Sequence, residues 1–416
     1  MAQDFTEKSI IAKRQNLLES SIVVSILLLP LLAFFSPRLM AYVPGVIGII
    51  GIVGGFFLTR SRPVVPKSAL FWVAAIVALA GISALWSRDV GFALEKTMKI
   101  ALILFPGLLL LSVAMALKPE RVKPYLWLLP LGVALAALFN IAELYFDLPF
   151  HRLVRGLSVD EEIGRAPANR SIFCTVAAFF ACVPVIYRIP AFAGMTPKGA
   201  FPHIVVAVLA VLVITMLALS EGQSNQLCFI LALLSLLLFP YKFKPAWMIL
   251  AAIFAVLILT APWTVQIMFK TVAASVTKGS WLAEAYAPNR LEIWDFVARY
   301  ALQSPIFGYG VEATRLTQDF DTHKIYHPDS MILHPHNFAL QLWMEYGAIG
   351  AVFGSVFLGD LLRRISRLPG QAARVTLPVF LCFLSVAATG YGMWQGWWLG
   401  EMMYMLALTV LVGRNF

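Results

Sequence analysis

The chain has 416 residues, of which 60% are hydrophobic and 13% are charged, whereas a soluble domain carries about one quarter charged residues. This composition excludes a soluble globular protein. The formal net charge of +10 is typical of membrane topology signals and contacts with anionic headgroups, so membrane lipids are expected partners and nucleic acid is not. Its four cysteines lie singly in apolar runs, which indicates neither a disulfide framework nor a cysteine metal site.

Apolar runs recur along the whole chain, and each bilayer crossing needs about 20 mostly apolar residues. We predict an all-α integral membrane protein with about twelve transmembrane helices in one polytopic domain, residues 1–416. The predicted spans are Ser20–Phe35, Tyr42–Leu58, Ala69–Trp86, Met98–Leu117, Tyr125–Tyr145, Ser171–Tyr187, His203–Ser220, Gln226–Phe239, Ala246–Trp263, Asn337–Leu358, Thr376–Gly390 and Trp397–Val412.

Basic residues predict the orientation, because short loops rich in Lys and Arg stay in the cytoplasm. Alternate connections hold most of the Lys and Arg, so both termini are expected in the cytoplasm. The opposite side receives the connection Ser87–Thr97 and the longest one, residues 264–336. Within the latter, Arg290–Gln303 is predicted to form a helix on the membrane surface.

Three arginines on the outer side point to an anionic ligand. Arg165 and Arg170 stand at the entry to a span, and Arg290 follows Pro288-Asn289 in the long connection. Because the guanidinium group is suited to planar, bidentate recognition of phosphate, a lipid diphosphate is the natural ligand. The alternative is that each arginine simply reaches the headgroup layer.

The stretch His334-Pro335-His336-Asn337 turns the long connection back into an apolar helix. Asn337 is predicted to be its N-cap, and the histidines are expected at a membrane mouth. His336 is the candidate general base, with His334 as its neighbour. Glu345 lies about 12 Å below the helix start. A carboxylate at that depth predicts either a functional site or a polar seam between helices, formed with Gln341.

No cofactor or metal is predicted. His323 and His327 have a spacing that suits a metal only on a helix, yet Pro328 follows directly. The acidic cluster at residues 160–162 is interpreted as a solvated loop, and the alternative interpretation is that it holds a divalent ion. Glycine-rich phosphate loops and nucleophile elbows are absent from the sequence, so neither nucleotide hydrolysis nor serine hydrolase chemistry is indicated.

Several motifs together resemble those of bacterial O-antigen ligases. His336-Asn337 is followed by nine residues, Gly347, two residues and Gly350, which resembles the ligase signature. Trp86-Ser87-Arg88-Asp89 and Arg290-x-x-x-Trp294 with Pro305-Ile-Phe-Gly-Tyr-Gly310 also resemble recurrent stretches of that superfamily.

The resemblance implies a GT-C-type glycosyltransferase of the bacterial inner membrane with a periplasmic active site. It implies transfer of O-antigen from undecaprenyl diphosphate to a lipid A-core sugar, with inversion and without metal or ATP. His336 and Arg290 would be catalytic. Substrate-binding residues would be Arg165, Arg170, Asn337, Arg88, His334 and Glu345.

Two alternatives remain open from the sequence. One is an O-antigen polymerase or a protein O-oligosaccharyltransferase that uses the same donor, and the other is a transporter of lipid-linked sugars. One departure from the family pattern matters: many relatives carry Ser-Arg-Gly after the seventh span, and this chain has Ser220-Glu221-Gly222.

Overall fold

The computed structural model of the chain describes residues 2–59, 64–158, 161, 163–188, 199–220, 222–272, 275–276, 280, 283, 287–317, 320 and 332–414. These residues form helices and turns, with no β-strand among them. The α-helices are α1 (Ala2–Leu27), α2 (Leu29–Phe35), α3 (Val43–Thr59), α4 (Lys67–Ile82), α5 (Val90–Ala116), α6 (Pro119–Val122), α7 (Leu128–Tyr145), α8 (Pro149–Arg155), α9 (Ala166–Ile186), α10 (Phe201–Leu219), α11 (Gln223–Leu238), α12 (Lys244–Leu259), α13 (Ala261–Val272), α14 (Ala287–Ala301), α15 (Phe338–Ile365), α16 (Gly370–Thr389) and α17 (Gly396–Gly413).

Within the described residues, eight helical segments are long and apolar enough to cross a membrane, or up to ten if each of two bent pairs is one span. Two shorter apolar helices, Val43–Leu58 and Gln223–Leu238, match two further predicted spans. The prediction of an all-helical, multi-pass membrane protein is therefore confirmed. The number twelve and the GT-C-type fold stay predictions.

Two predicted spans coincide with pairs of helices that have a sharp bend between them, and the second pair continues to Val272, beyond the predicted end at Trp263. Helices α1 and α2 meet at 66°, and α12 and α13 meet at 74°. Pro30 and Pro262 stand in the first turn after each break. Proline lacks an N–H and cannot extend the helix that precedes it, but it is well tolerated in a first turn.

The core has two main parts that meet along α17. In the first, α9 packs against α7, α10, α16 and α17. In the second, α14 packs against α13 and α15, while α5 packs against α3, α4 and α17. The polar side chains predicted to form a site come from helix ends and turns where these two parts meet.

The long connection contains the helix predicted at Arg290–Gln303, which runs from Ala287 to Ala301. It buries Leu291 and Phe296 against neighbouring helices, while its position at a membrane surface stays a prediction. The connection predicted at Ser87–Thr97 is wrong in extent, because α5 begins at Val90. The side chain of Asp89 caps α5, accepting a hydrogen bond from the Phe92 N–H at 2.9 Å.

Candidate active site

The turn before α15 positions the two histidines predicted at the membrane mouth. The side-chain oxygen of Asn337 accepts hydrogen bonds from the N–H groups of Ala339 (3.0 Å) and Leu340 (3.1 Å). The predicted N-cap is thus confirmed, and this oxygen is not available to a substrate. His336 has a φ of +53°, a left-handed conformation that few residues other than glycine adopt. The chain therefore turns sharply at His336, directly before the helix.

One contact determines which nitrogen of His336 can act as a base. Its Nδ1 lies 2.5 Å from the carbonyl oxygen of Gly390. A carbonyl only accepts hydrogen bonds, so Nδ1 carries the proton and Nε2 keeps its lone pair in the neutral ring. The ring is half-buried. This is the tautomer that a general base acting through Nε2 requires.

His334 packs beside this base in a different environment. The two imidazole centroids lie 4.2 Å apart, and His334 is only 9% exposed. Burial, together with the nearby His336 and Arg315, lowers the pKa of His334 to about 3. His334 therefore stays neutral at physiological pH and is a much weaker base than an ordinary histidine.

Arg290 reaches the same region from the first turn of α14. Its Nη1 donates a hydrogen bond to Ser224 Oγ at 3.3 Å, and Ser224 Oγ donates to the carbonyl of Thr389 at 3.1 Å. Thr389 precedes Gly390, so Arg290, through Ser224, and His336, directly, are linked to adjacent residues at the end of α16. Burial lowers the pKa of Arg290, but a guanidinium starts so far above neutrality that it remains charged.

Arg170 approaches from the first turns of α9. Its guanidinium lies 5.0 Å from the centre of the Trp397 ring, and its Nε is buried with no hydrogen-bond partner among the described residues. Tyr391 lies within electrostatic range of both Arg170 and Arg290. The structure thus brings Arg170 and Arg290 to one place, and Arg165 occupies the position directly before α9, where its side chain makes no capping hydrogen bond.

Among the described residues, no carboxylate forms an ion pair with Arg170 or Arg290. The ion pairs of arginine among the described residues use other arginines: 121, 152, 299, 315, 363 and 364. Two half-buried guanidinium groups close to one tyrosine therefore form a site that favours an anion.

The turn between α16 and α17, residues 390–395, was not identified from the sequence. Its Gly390 carbonyl binds His336, and Gln395 Nε2 lies 3.4 Å from Nε2 of His334. A Cβ at Gly392 would lie 2.8 Å from the ring of His334, so only glycine fits there. In the sequence, the two glycines of Gly390-Tyr391-Gly392 indicate a close backbone approach, which is the signal that could have found this turn.

Glu345 holds this turn in place from α15. It is 0% exposed, its Oε1 accepts from Gln341 Nε2 at 2.8 Å, and its Oε2 accepts from Trp394 Nε1 at 2.6 Å. Gln341 Oε1 in turn accepts from the Met393 N–H at 2.8 Å. This geometry matches the polar seam and leaves no carboxylate surface for a substrate. The predicted substrate contact of Glu345 does not fit it, and a positioning role does.

The glycines of the predicted signature have a structural explanation. Helix α15 breaks at Gly347, where φ is +60°, and the loop 305–310 binds at the break. The Gly310 N–H donates to the Glu345 carbonyl, and the Ala348 N–H donates to the first carbonyl of the loop, both at 2.8 Å. A Cβ at residue 347 would lie 2.4 Å from main-chain carbon of the loop, so this position requires glycine.

Arg88 lies beside the 305–310 loop and not at the anion site. Its guanidinium bonds the Tyr300 hydroxyl and lies 5.1 Å from the centres of the Tyr300 and Tyr309 rings. Tyr300 lies ten residues after Arg290 on α14, which corresponds to about 15 Å along a helix. The geometry therefore gives Arg88 a role in holding the 305–310 loop, and its predicted substrate contact has no support here.

No group of three His, Cys, Asp or Glu side chains suited to a metal ion is found among the residues that the structure describes. His323, His327, Asp160 and Glu162, the other candidates for metal ligands, lie outside the described residues. Metal independence stays a prediction.

Comparison with known proteins finds a family model and curated relatives that are similar to parts of this chain. Residues 207–354 match the family described as O-antigen ligase. Proteins named "Putative polysaccharide ligase" from Rickettsia conorii and Rickettsia felis are each 26% identical over 216 residues, and one from Rickettsia bellii is 28% identical over 221 residues. Each match covers 49% of this chain and 50%, 51% and 51% of the relative, respectively, so the chain spans about half the length of these curated relatives.

No solved structure matches the chain. The family match includes Arg290, the two histidines and the Gly347 break, and it ends before the 390–395 turn. This match and these relatives support the predicted resemblance to the O-antigen ligase family.

Proposed function

We propose that the chain is an inverting glycosyltransferase that moves O-antigen polysaccharide from undecaprenyl diphosphate to a sugar hydroxyl of lipid A-core. The reaction would take place at the periplasmic face of the bacterial inner membrane. The observation that carries the proposal is that His336 binds the Gly390 carbonyl while Arg290 binds Ser224, which donates to the carbonyl of the adjacent Thr389. The imidazole of His336 and the guanidinium groups of Arg290 and Arg170 then lie in the same region, and neither arginine has an ion pair among the described residues.

The acceptor hydroxyl supplies the nucleophile. His336 Nε2 takes the hydroxyl proton as the acceptor oxygen attacks the anomeric carbon of the donor. The bond between that carbon and the diphosphate oxygen breaks, and its electron pair leaves with the diphosphate. A single displacement inverts the anomeric centre, and the proton then passes from His336 to solvent or to the released diphosphate.

Arg290 and Arg170 would stabilise the leaving group. Negative charge grows on the diphosphate oxygen as the glycosidic bond breaks, and fixed guanidinium donors bind that charge more tightly than the ground state. No carboxylate among the described residues pairs with either arginine, which supports a role in binding an anion. No step of this proposed reaction requires a metal ion, so the protein is expected to stay active in the presence of a chelator.

A transporter would need polar groups along a route to the cytoplasm. Two pairs of polar side chains inside the predicted spans bind each other instead: Asn140 donates to Ser171 Oγ at 2.9 Å, and Gln341 donates to Glu345. This pairing favours an enzyme that works at the outer mouth.

The test is a gel of lipopolysaccharide from a strain that lacks the gene, with and without the gene restored. Loss of the long-chain ladder, with lipid-linked polymer accumulating, is the expected result. Molecules capped with a single repeat would identify a polymerase instead, and an unchanged ladder would refute both.

A matched pair of variants tests the anion site within this proposal. Arg170→Ala is expected to be about as damaging to transfer as Arg290→Ala, because both side chains lie near Tyr391. Arg165→Ala, five residues earlier, is expected to have a smaller effect. Equal losses at 165 and 170 would contradict the placement of the diphosphate beside Tyr391.

A further inference from the structure

We infer that Tyr391 is a third binding group for the leaving diphosphate, donating its hydroxyl to a phosphoryl oxygen between Arg170 and Arg290. This inference rests on the proposed function and adds a neutral donor to the two cations. It concerns a residue in the 390–395 turn, beyond the segment that matches the family.

The ring of Tyr391 is fixed by two tryptophans of α17. Its centroid lies 4.7 Å from that of Trp397 at an interplanar angle of 89°, and 6.0 Å from that of Trp398. Arg170 lies over the same Trp397 ring. Arg170 and Tyr391 thus share one aromatic support, which restricts the direction of both side chains.

The neighbouring Gly390 connects Tyr391 to the rest of the site. The Gly390 carbonyl accepts a hydrogen bond from His336 Nδ1. A Cβ placed on Gly390 would lie 3.5 Å from the side chain of Ser224, the hydrogen-bond partner of Arg290. The tyrosine therefore lies in the same turn as the contact that fixes the base, between elements that carry the two cations.

The hydroxyl of Tyr391 is available as a donor. No hydrogen bond from it to the described residues is found, although the rest of the side chain is largely enclosed. Burial raises the pKa of Tyr391 and outweighs the opposite influence of Arg170 and Arg290, so the phenol keeps its proton. Arginine offers only donors, so neither guanidinium can accept the tyrosine proton. A phosphoryl oxygen is an acceptor that suits both the phenol and the guanidinium groups.

The experiment compares the full-length wild type, Tyr391→Phe and Tyr145→Phe in lipid nanodiscs. Tyr145 is 72% exposed and lies outside the site. Tyr145→Phe removes the same hydroxyl group there and is therefore the matched control. Binding of geranylgeranyl diphosphate is measured against geranylgeraniol, which has the same tail without the anion. Single-turnover transfer from a lipid-linked donor is measured on the same preparations.

Tyr391→Phe is expected to weaken diphosphate binding or slow transfer by about tenfold to a hundredfold, since a hydrogen bond to a charged group is lost. Binding of geranylgeraniol should not change, and Tyr145→Phe should behave as wild type. Wild-type binding and transfer by Tyr391→Phe would overturn the inference and leave the proposed function intact. A wild type that does not distinguish the diphosphate from the alcohol would instead overturn the proposed function.

A second variant covers the case in which Tyr391→Phe is unstable. Replacement of Tyr391 by 3-fluorotyrosine keeps the shape of the ring and makes the hydroxyl a stronger donor. Tighter binding of the diphosphate lipid is expected at a pH where this phenol is protonated. Unchanged affinity in the fluorinated protein would refute the hydrogen bond.

Discussion

The substitution His336→Asn removes the proposed base while keeping the turn that carries it. The φ of His336 is +53°, and asparagine enters this left-handed region at a lower energetic cost than alanine or a β-branched residue. We therefore expect this variant to insert and fold like wild type. A loss of activity can then be assigned to the missing imidazole.

The expected loss follows from the surroundings of the ring. Removing a general base slows a reaction by about 10²–10⁴-fold, or about 2.7–5.4 kcal/mol at 1.36 kcal/mol per factor of ten. The neighbouring His334 is close enough to be considered as a substitute, with its centroid 4.2 Å away. Its pKa is lowered to about 3, however, which makes it a poor proton acceptor, so the loss should lie in the upper part of the range.

The assay is single-turnover transfer from a lipid-linked donor to rough lipopolysaccharide, with the protein saturated by donor. Donor affinity should stay near that of wild type because Arg170 and Arg290 are untouched. His334→Ala serves as the comparison. It should lower the transfer rate less than His336→Asn does, because it removes only a ring that packs against His336. Wild-type turnover by His336→Asn, or an equal loss in His334→Ala, would refute the assignment of the base.

Three further predictions follow from the same geometry. Arg290→Ala should lower single-turnover transfer more than donor affinity, and Arg290→Lys should restore only part because the planar fork is lost; full-rate transfer by the saturated alanine variant would remove the transition-state role. Gly347→Ala should destabilise the protein by about 1–3 kcal/mol or more, given its φ of +60° and the contact at 2.4 Å. Gly359→Ala on the same helix, with no atom within 4 Å of the new Cβ, should not; equal melting temperatures for the two variants would contradict the docking of the 305–310 loop. Finally, the unfolded chain binds a proton at His334 below about pH 6.5, and the folded chain does so only near its pKa of about 3, so stability should fall as the pH drops through this interval. A His334→Phe variant should show a flatter dependence of melting temperature on pH between 7.5 and 5, and an unchanged slope would place the titration elsewhere.

The sequence by itself determined the features that depend on neighbouring residues. Apolar runs predicted the membrane helices because hydropathy acts on each segment of about 20 residues. Asn337 was predicted as an N-cap because the capping bonds reach only two and three residues ahead. The helix near Arg290 was predicted within a few residues because the ends of a helix depend on local start and stop signals.

Only the tertiary structure decided which of the polar residues meet. Gly390 lies 54 residues from His336, and Ser224 lies 66 residues from Arg290, so no local spacing connects them. The tertiary structure also places the guanidinium of Arg88 against two tyrosine rings. It supplies Glu345 with two hydrogen-bond donors. Arginine and glutamate are both typical of binding sites, so their residue types alone did not predict these structural roles. Helix packing brings distant turns together, and the hydrogen bonds formed there determine which charges remain available to a ligand and which stabilise the fold.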